Sequence, residues 1–427
     1  MRNRFTMFIL IGMVLGIVVG YACHAMFPDP RTATTVAGYI SLITTVFLRL
    51  IKMLIAPLVF STLVVGIAHM GTGASVGRVF AKTMGWFITA SLVSLLLGLV
   101  MVNLLQPGAN LGLPLPDATA QTNLKVSSLT LKEFIPHLVP ASVIEAMATN
   151  EILQIVVFSI FAGIALASLG EKAHALVELA EQVAQMMLKI TGYVMLAAPI
   201  AVFAAIAATI TTQGLGVLVT YGVFIFEFYA TLALLWVLLA LAGFLMIGPR
   251  IGNLISRIRE PFMLAFSTAS SEAAYPKTLE QLGKFGVSKR IASFVLPMGY
   301  SFNLDGTMAY CTFATMFIAQ AYGIKLSAWE QITMLLLLMI TSKGMAGVPR
   351  ASLVVIAATL ATFNIPEAGL LLIMGIDQFL DMGRSATNVI GNSVAAAVVA
   401  KWEGELGEPE PEAAGESFPG GAVPSVA

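Results

Sequence analysis

Five polar side chains near the C-terminal end of the chain, Asp377, Asp381, Arg384, Asn388 and Asn392, fall at i, i+4, i+7, i+11 and i+15. At about 100° per residue they share a stripe roughly 80° wide on one helical face. Burying an ionisable side chain in a membrane span costs about 2.5–3.5 kcal/mol on insertion scales, so such a face meets protein, ligand or a water-filled cavity rather than lipid. An arginine in a dry cavity wants a carboxylate, which its planar fork binds bidentately. An aspartate one turn away wants an ammonium. Arg384 and Asp381 are together matched to a ligand carrying both an acidic side chain and an amino group. A permanent pairing of the two with each other would cancel that match, and a structural Asp–Arg network is the competing reading.

The elements that must hold this face are membrane helices. Of 427 residues, 58% are hydrophobic and 11% charged, against about 25% charged in an average soluble domain. At about 20 apolar residues per crossing this composition fits a polytopic helical membrane protein and excludes a soluble enzyme. The 23 Lys and Arg balance the 23 Asp and Glu, which removes the basic excess of a nucleic-acid binder. Cys23 and Cys311 lie alone in apolar stretches, and the four histidines have no metal spacing, so no metal site is expected. The sequence has no nucleophile–base set and no Walker-type loop; neither an enzyme nor a cofactor is expected. A channel would need a continuous pore, which interrupted helices argue against.

Uncharged runs cover residues 5–27, 53–77, 83–116, 152–170 and 190–226, the last divided by a turn at 211–216. The first, behind Arg2 and Arg4, is too long for a signal peptide and reads as a retained span. Residues 1–249 thus carry six spans. From 250 to 403 the apolar segments are short and broken at 267–272, 303–307, 341–349 and 381–385. A small-residue tip closed by Pro276 is followed 29 residues later by Asp305, and one closed by Pro349 is followed 32 residues later by Asp381. Paired interrupted segments of this kind are the sequence pointer to a transporter's binding site. Arg2, Arg4, Arg78, Lys82, Arg250, Arg257, Arg259, Lys284, Lys289 and Arg290 can all face the cytoplasm, so the first hairpin enters from inside and the second from outside. Residues 404–427 read as a disordered acidic cytoplasmic tail.

The segments Asn303-Leu304-Asp305-Gly306-Thr307, Gly347-Val348-Pro349 and Gly375 to Asn388 closely resemble the signatures of the dicarboxylate/amino-acid:cation symporters, the glutamate transporter family. The resemblance implies an all-α elevator fold with eight transmembrane helices, two re-entrant hairpins and inverted repeats. It also implies a homotrimer, with spans 1, 2, 4 and 5 as the trimerisation scaffold and spans 3 and 6 joined to the 250–403 transport core. It places Arg384 on the substrate's side-chain carboxylate, Asp381 on its amino group, and Asn388 with the Ser270–Ser271 backbone on its α-carboxylate. Ser385 and Thr307 line the pocket, and a second hairpin around Gly347, Val348 and Pro349 forms the outer gate. Retention of Asp381 favours glutamate or aspartate over C4-dicarboxylates, which stay the alternative substrate. The implied location is a bacterial cytoplasmic membrane, with both termini inside.

Two positions depart from sodium-coupled relatives: Asn392 where they carry an aspartate, and Lys343 where they carry neutral ligands. Losing a carboxylate and adding an ammonium both weaken a site for a hard cation. Similarity is closest to the bacterial proton/glutamate–aspartate symporters, so proton coupling is expected. A residual sodium site at Asn303, Asp305 and Asn388 is the alternative. Cys311 stands where mammalian relatives carry a proton-bearing glutamate. Burial favours the neutral form of a carboxyl group, and the proton carrier stays open among Asp377, Asp381 and Glu272. Arg350, after the Gly-Val-Pro motif, is either a substrate or headgroup contact or a solvated hairpin arginine.

Overall fold

A computed structural model of the chain describes residues 2–68, 73–109, 139–216, 221–342 and 351–410. Among them the regular structure is helical, with one isolated bridge between Val287 and Leu406. Long apolar helices come first: α1 (Arg2–Met26), α2 (Pro30–Ala68) and α3 (Gly73–Leu105). After the short α4 (Val143–Thr149) come α5 (Ile152–Leu169), α6 (His174–Met195), α7 (Ala198–Gln213) and α8 (Gly222–Ile247). Among the described residues five apolar stretches are long enough to cross a bilayer, which makes this an integral membrane protein.

Three details depart from the hydropathy reading. No break falls at 381–385: those residues lie inside one helix running from Asp377 to Glu403, where Asp381 is held by Arg384 and Ser385 one turn away on the same face. The apolar segment 32–48 does not merely lead into the second span: α2 is one helix of 39 residues, about 58 Å at 1.5 Å per residue, nearly twice the ~30 Å hydrocarbon core. The span expected from residue 190 instead breaks at Leu196–Ala197, because Pro199 at the start of α7 offers no N–H to continue α6. The turn expected at 211–216 is present, with Gly214 at φ +65°.

Packing divides these helices. α1, α2, α5, α6 and α7 lie against one another, whereas α3 packs on α13 (Asp305–Ala321) and α8 on α17 (Asp377–Glu403). The α1–α7 contact is a close approach of backbones. A Cβ on Gly12, Gly16 or Gly20 would come within 2.6–2.8 Å of the Pro199, Phe203 and Ala207 carbonyl oxygens. Small residues four apart allow this in lipid, where dispersion between close helices replaces the hydrophobic drive.

The second half is built from half-helices. α9 (Arg250–Arg257) leads to a hairpin of α10 (Arg259–Thr268) and α11 (Tyr275–Phe285). Its tip turns through Ala269 in the left-handed region, at φ 49°. Next come α12 (Lys289–Phe302) and α13, separated by the extended residues Asn303 and Leu304. α14 (Ala328–Thr341) and α15 (Ala351–Thr362) flank the expected second tip. That tip, with Lys343, Gly347, Val348, Pro349 and Arg350, lies outside the described residues, as do residues 411–427 of the tail. α16 (Leu370–Met374) precedes α17. Non-helical backbone at this depth survives because α17 covers it: α10, α12 and α13 all pack along that helix.

The start of the tail is ordered. Residues 404–410 run antiparallel beside the α11–α12 turn, with Gly407 N–H donating to Gly286 O and Glu410 N–H to Lys284 O. Arg290 pairs with Glu405, while Arg78 and Lys82 reach Glu403 at 2.8 and 2.7 Å. Beyond the apolar length of α17, these two cations hold the Glu403 carboxyl down at about 2. Basic residues expected on one side of the membrane therefore meet at one end of the molecule.

Candidate functional site

All five residues of the polar stripe lie on α17, which begins at Asp377. Asp377, Arg384, Asn388 and Asn392 are buried, whereas the Asp381 side chain keeps 26% of its surface. Arg384 is shared. Its Nε donates to Asp381 Oδ1 at 2.8 Å, and Nη1 and Nη2 donate to the Asp377 carboxylate at 3.1 and 3.5 Å. The guanidinium lies over the Tyr310 ring, 4.4 Å from its centroid. Tyr310 O–H donates to Asp377 Oδ1 at 3.0 Å, and Ser385 O–H to Asp381 Oδ1 at 3.1 Å. The ring blocks one face of the guanidinium.

The Arg384–Asp381 pair is the arrangement that would cancel a ligand match if it were permanent. The two carboxylates differ in access. Asp381 is the partly open member, and Asp377 remains on Arg384 when Asp381 turns elsewhere. Two carboxylates and one guanidinium leave this cluster at net −1 with every group ionised.

A second cluster sits where α12 breaks. Asn303 Nδ2 donates to Asp305 Oδ2 and to Asn392 Oδ1, both at 3.1 Å, and Ser94 O–H on α3 donates to Asp305 Oδ1 at 3.2 Å. Asp305 opens α13, where the helix N-terminus favours its charge. Asn388 joins the clusters: its Oδ1 accepts Gly306 N–H at 2.9 Å and its Nδ2 donates to Thr307 Oγ1 at 3.1 Å. This contact needs glycine on both helices. A Cβ on Gly306 would run into Arg384 O, and one on Gly391 into Asp305 Oδ2.

The first hairpin reaches α17 through Phe266 and Ala269, which pack around Met382. Ser270 spends its hydroxyl on its own turn, accepting Ala273 N–H at 3.2 Å. Ser270 and Ser271 are half-buried at the hairpin tip, and Cys311 is fully buried next to Tyr310. The sequence reading missed Tyr310 and Ser94, as well as Trp236, whose indole N–H holds Thr387 at 2.7 Å. A signal existed for Ser94: Ser91 and Ser94 are the polar positions, three apart, in an otherwise apolar stretch of α3. Tyr310 and Trp236 pass for packing residues until their partners are known.

Among the described residues no group of three or more His, Cys, Asp and Glu side chains can hold a metal ion.

Comparison with known proteins identifies the family. Residues 5–402 match the family described as the sodium:dicarboxylate symporter family. The chain is 40% identical over 406 residues to a proton/sodium-glutamate symport protein of Bacillus caldotenax, covering 94% of each chain. It is 42% identical over 414 residues to a C4-dicarboxylate transport protein of Cupriavidus necator, covering 95% of this chain and 94% of the relative. A C4-dicarboxylate transport protein of Bacillus subtilis is 37% identical, covering 95% of each. With broken helices around a charge-paired stripe and a match across nearly its whole length, this chain belongs to the sodium:dicarboxylate symporter family.

Proposed function

We propose that the protein imports acidic amino acids, glutamate or aspartate, together with protons. The observation that carries this reading is the 2.8 Å contact between Arg384 Nε and Asp381 Oδ1. A ligand bearing both a carboxylate and an ammonium exchanges that internal pair for two external ones: its ammonium takes Asp381, and its side-chain carboxylate takes the freed guanidinium edge. A simple dicarboxylate displaces Asp381 from the guanidinium without giving it a cation in return, which leaves the Ser385 hydroxyl as its partner.

Charge balance supports coupling to a cation. A net −1 substrate on a net −1 cluster gives −2 in a low-dielectric cavity, and each proton carried with it removes one unit. The amide pair Asn303–Asn392 beside Asp305 supplies one carboxylate to this pocket, a poor set for sodium. Lys343 would add positive charge at the outer tip.

The packing supports an elevator. α3 and α8 pack with α10 to α17, while α1, α2, α5, α6 and α7 pack mainly among themselves and meet the first group through α2 on α12 and α7 on α10. We assign the first group to a moving transport body and the second to a trimerisation scaffold in a bacterial cytoplasmic membrane. Eight spans and two re-entrant hairpins complete this topology, with Gly347, Val348 and Pro349 in the outer gate and both termini inside. The names of the Cupriavidus necator and Bacillus subtilis relatives favour a second reading, C4-dicarboxylate symport.

The test is uptake of labelled glutamate into proteoliposomes, driven in turn by a proton gradient and by a sodium gradient, with succinate as competitor. Accumulation on the proton gradient alone is expected. Accumulation only with sodium refutes the coupling assignment, and succinate competing as well as unlabelled glutamate refutes the substrate assignment.

A further inference from the structure

Buried polar atoms without hydrogen-bond partners are rare and scattered in folded proteins. Here six of them gather on three adjoining elements. Tyr275 Oη and Gln281 Oε1 are on α11, Tyr300 Oη, Ser301 Oγ and Asn303 Oδ1 on α12 and its end, and Asn392 Nδ2 on α17. All six residues are less than 5% exposed.

The elements that carry them run from the Asn303–Asp305–Asn392 cluster to a crevice beside the first hairpin. At the upper end, Asn303 Nδ2 is spent on Asp305 and Asn392, which leaves Asn303 Oδ1 and Asn392 Nδ2 open beside the Asp305 carboxylate. The Asn392 amide lies against Gly299, where a side chain would collide with it, one residue before Tyr300. The Tyr300 ring meets the Tyr275 ring edge-on, centroids 5.6 Å apart. Tyr275 faces Thr62 on α2, and Thr62 and Gln281 both line a crevice of about 1550 Å³ between the scaffold-like helices and the first hairpin. Its remaining wall includes Glu260, Lys277, Glu280, Lys289 and Arg290, a charged mouth at the basic end of the molecule.

We propose that these six atoms hold a file of water joining the Asn303–Asp305–Asn392 pocket to this crevice, and that the coupling proton leaves toward the cytoplasm along it. A buried water needs two to four polar partners, and the open amide and hydroxyl atoms supply them in series. A phenol both donates and accepts. A proton received on one side of Tyr300 or Tyr275 is therefore matched by one released on the other, and no group changes charge after the file has turned over. The charged groups facing the file are Asp305 at its upper end, Glu272 within electrostatic reach of Tyr300, and the Glu260–Lys277–Glu280 set at the mouth. The proposal rests on the proton-symport reading.

The test compares Tyr300→Phe, Tyr275→Phe and Gln281→Leu with the wild type in proteoliposomes containing a lumenal pH dye. Two rates are read: net glutamate uptake driven by a proton gradient, and glutamate–glutamate exchange at equal pH, which returns substrate and proton together and needs no release. Tyr275 and Tyr300 stand near the Thr62 and Thr278 hydroxyls without a well-formed hydrogen bond, and a thermal melt of each variant confirms that the fold persists. Net uptake and lumenal acidification are expected to fall about tenfold, the kinetic equivalent of one lost hydrogen bond in the path, with exchange unchanged. Unchanged net uptake in all three variants overturns the file, as does a parallel fall of uptake and exchange. A wild type that accumulates glutamate only on a sodium gradient removes the symport reading itself, a result distinct from both.

Discussion

Replacing Arg384 by lysine separates the charge of the proposed substrate site from its geometry. The guanidinium makes three contacts, at 2.8, 3.1 and 3.5 Å, to two carboxylates while lying 4.4 Å from the centre of the Tyr310 ring. Lysine keeps the positive charge that neutralises buried Asp377, so the collapse expected of Arg384→Ala, about 3–5 kcal/mol for stranding a buried partner, is avoided. What is lost is the planar edge that serves Asp377 and a ligand carboxylate at once, because an ammonium offers a point charge without the fork. A charge-assisted hydrogen bond is worth about 1.5–3 kcal/mol. At about 1.4 kcal/mol per decade, glutamate affinity should fall between roughly tenfold and a hundredfold. The assay is calorimetric titration of the purified protein with glutamate, with a thermal melt of the same preparation to show that the fold persists. A Kd within threefold of the wild type, at unchanged Tm, refutes the assignment of Arg384 to the substrate carboxylate.

Three further outcomes test neighbouring parts of the structure. Asp381→Asn removes the acceptor for the ammonium and half of the internal pair, so glutamate uptake should vanish while succinate uptake appears; retained glutamate uptake would contradict the amine role. Gly391→Ala places a methyl group against Asp305 Oδ2, an overpacking cost of about 1–3 kcal/mol that should appear as a lower Tm together with lost transport. Glu403, held at about 2 by Arg78 and Lys82, contributes stability that is fully present above the ordinary carboxylate value, near 4.5. That contribution is lost as pH falls toward 2. Glu403→Gln should flatten the acid limb of a Tm-against-pH curve in detergent and leave its neutral part parallel to the wild type, and an unchanged acid limb would contradict the pairing.

Much of this protein is legible in its sequence alone. Apolar runs give membrane helices because a bilayer tolerates little else, and the 3.6-residue period by itself places Asp377, Asp381, Arg384, Asn388 and Asn392 on one face. The breaks at 267–272 and 303–307 announce themselves by small and polar residues, and both are present. Spacing along one chain does not say who stands opposite. Tyr310 becomes part of the site only because α13 crosses α17, and Ser94 only because α3 lies against the α12–α13 break. The sequence offered Arg384 and Asp381 as a matched pair for a ligand; their i, i+3 spacing on one helix lets them satisfy each other first, with Asp377 two turns away as the third member, and tertiary packing adds the Tyr310 ring over the guanidinium. The glycines of α1 read as ordinary membrane residues until the carbonyls of α7 are found within 3 Å of the places their side chains would fill. Periodicity and composition report the solvent each face must meet, so one chain suffices to reveal them. Partner identity depends on contacts between residues far apart in sequence, and those are settled only when the helices are packed.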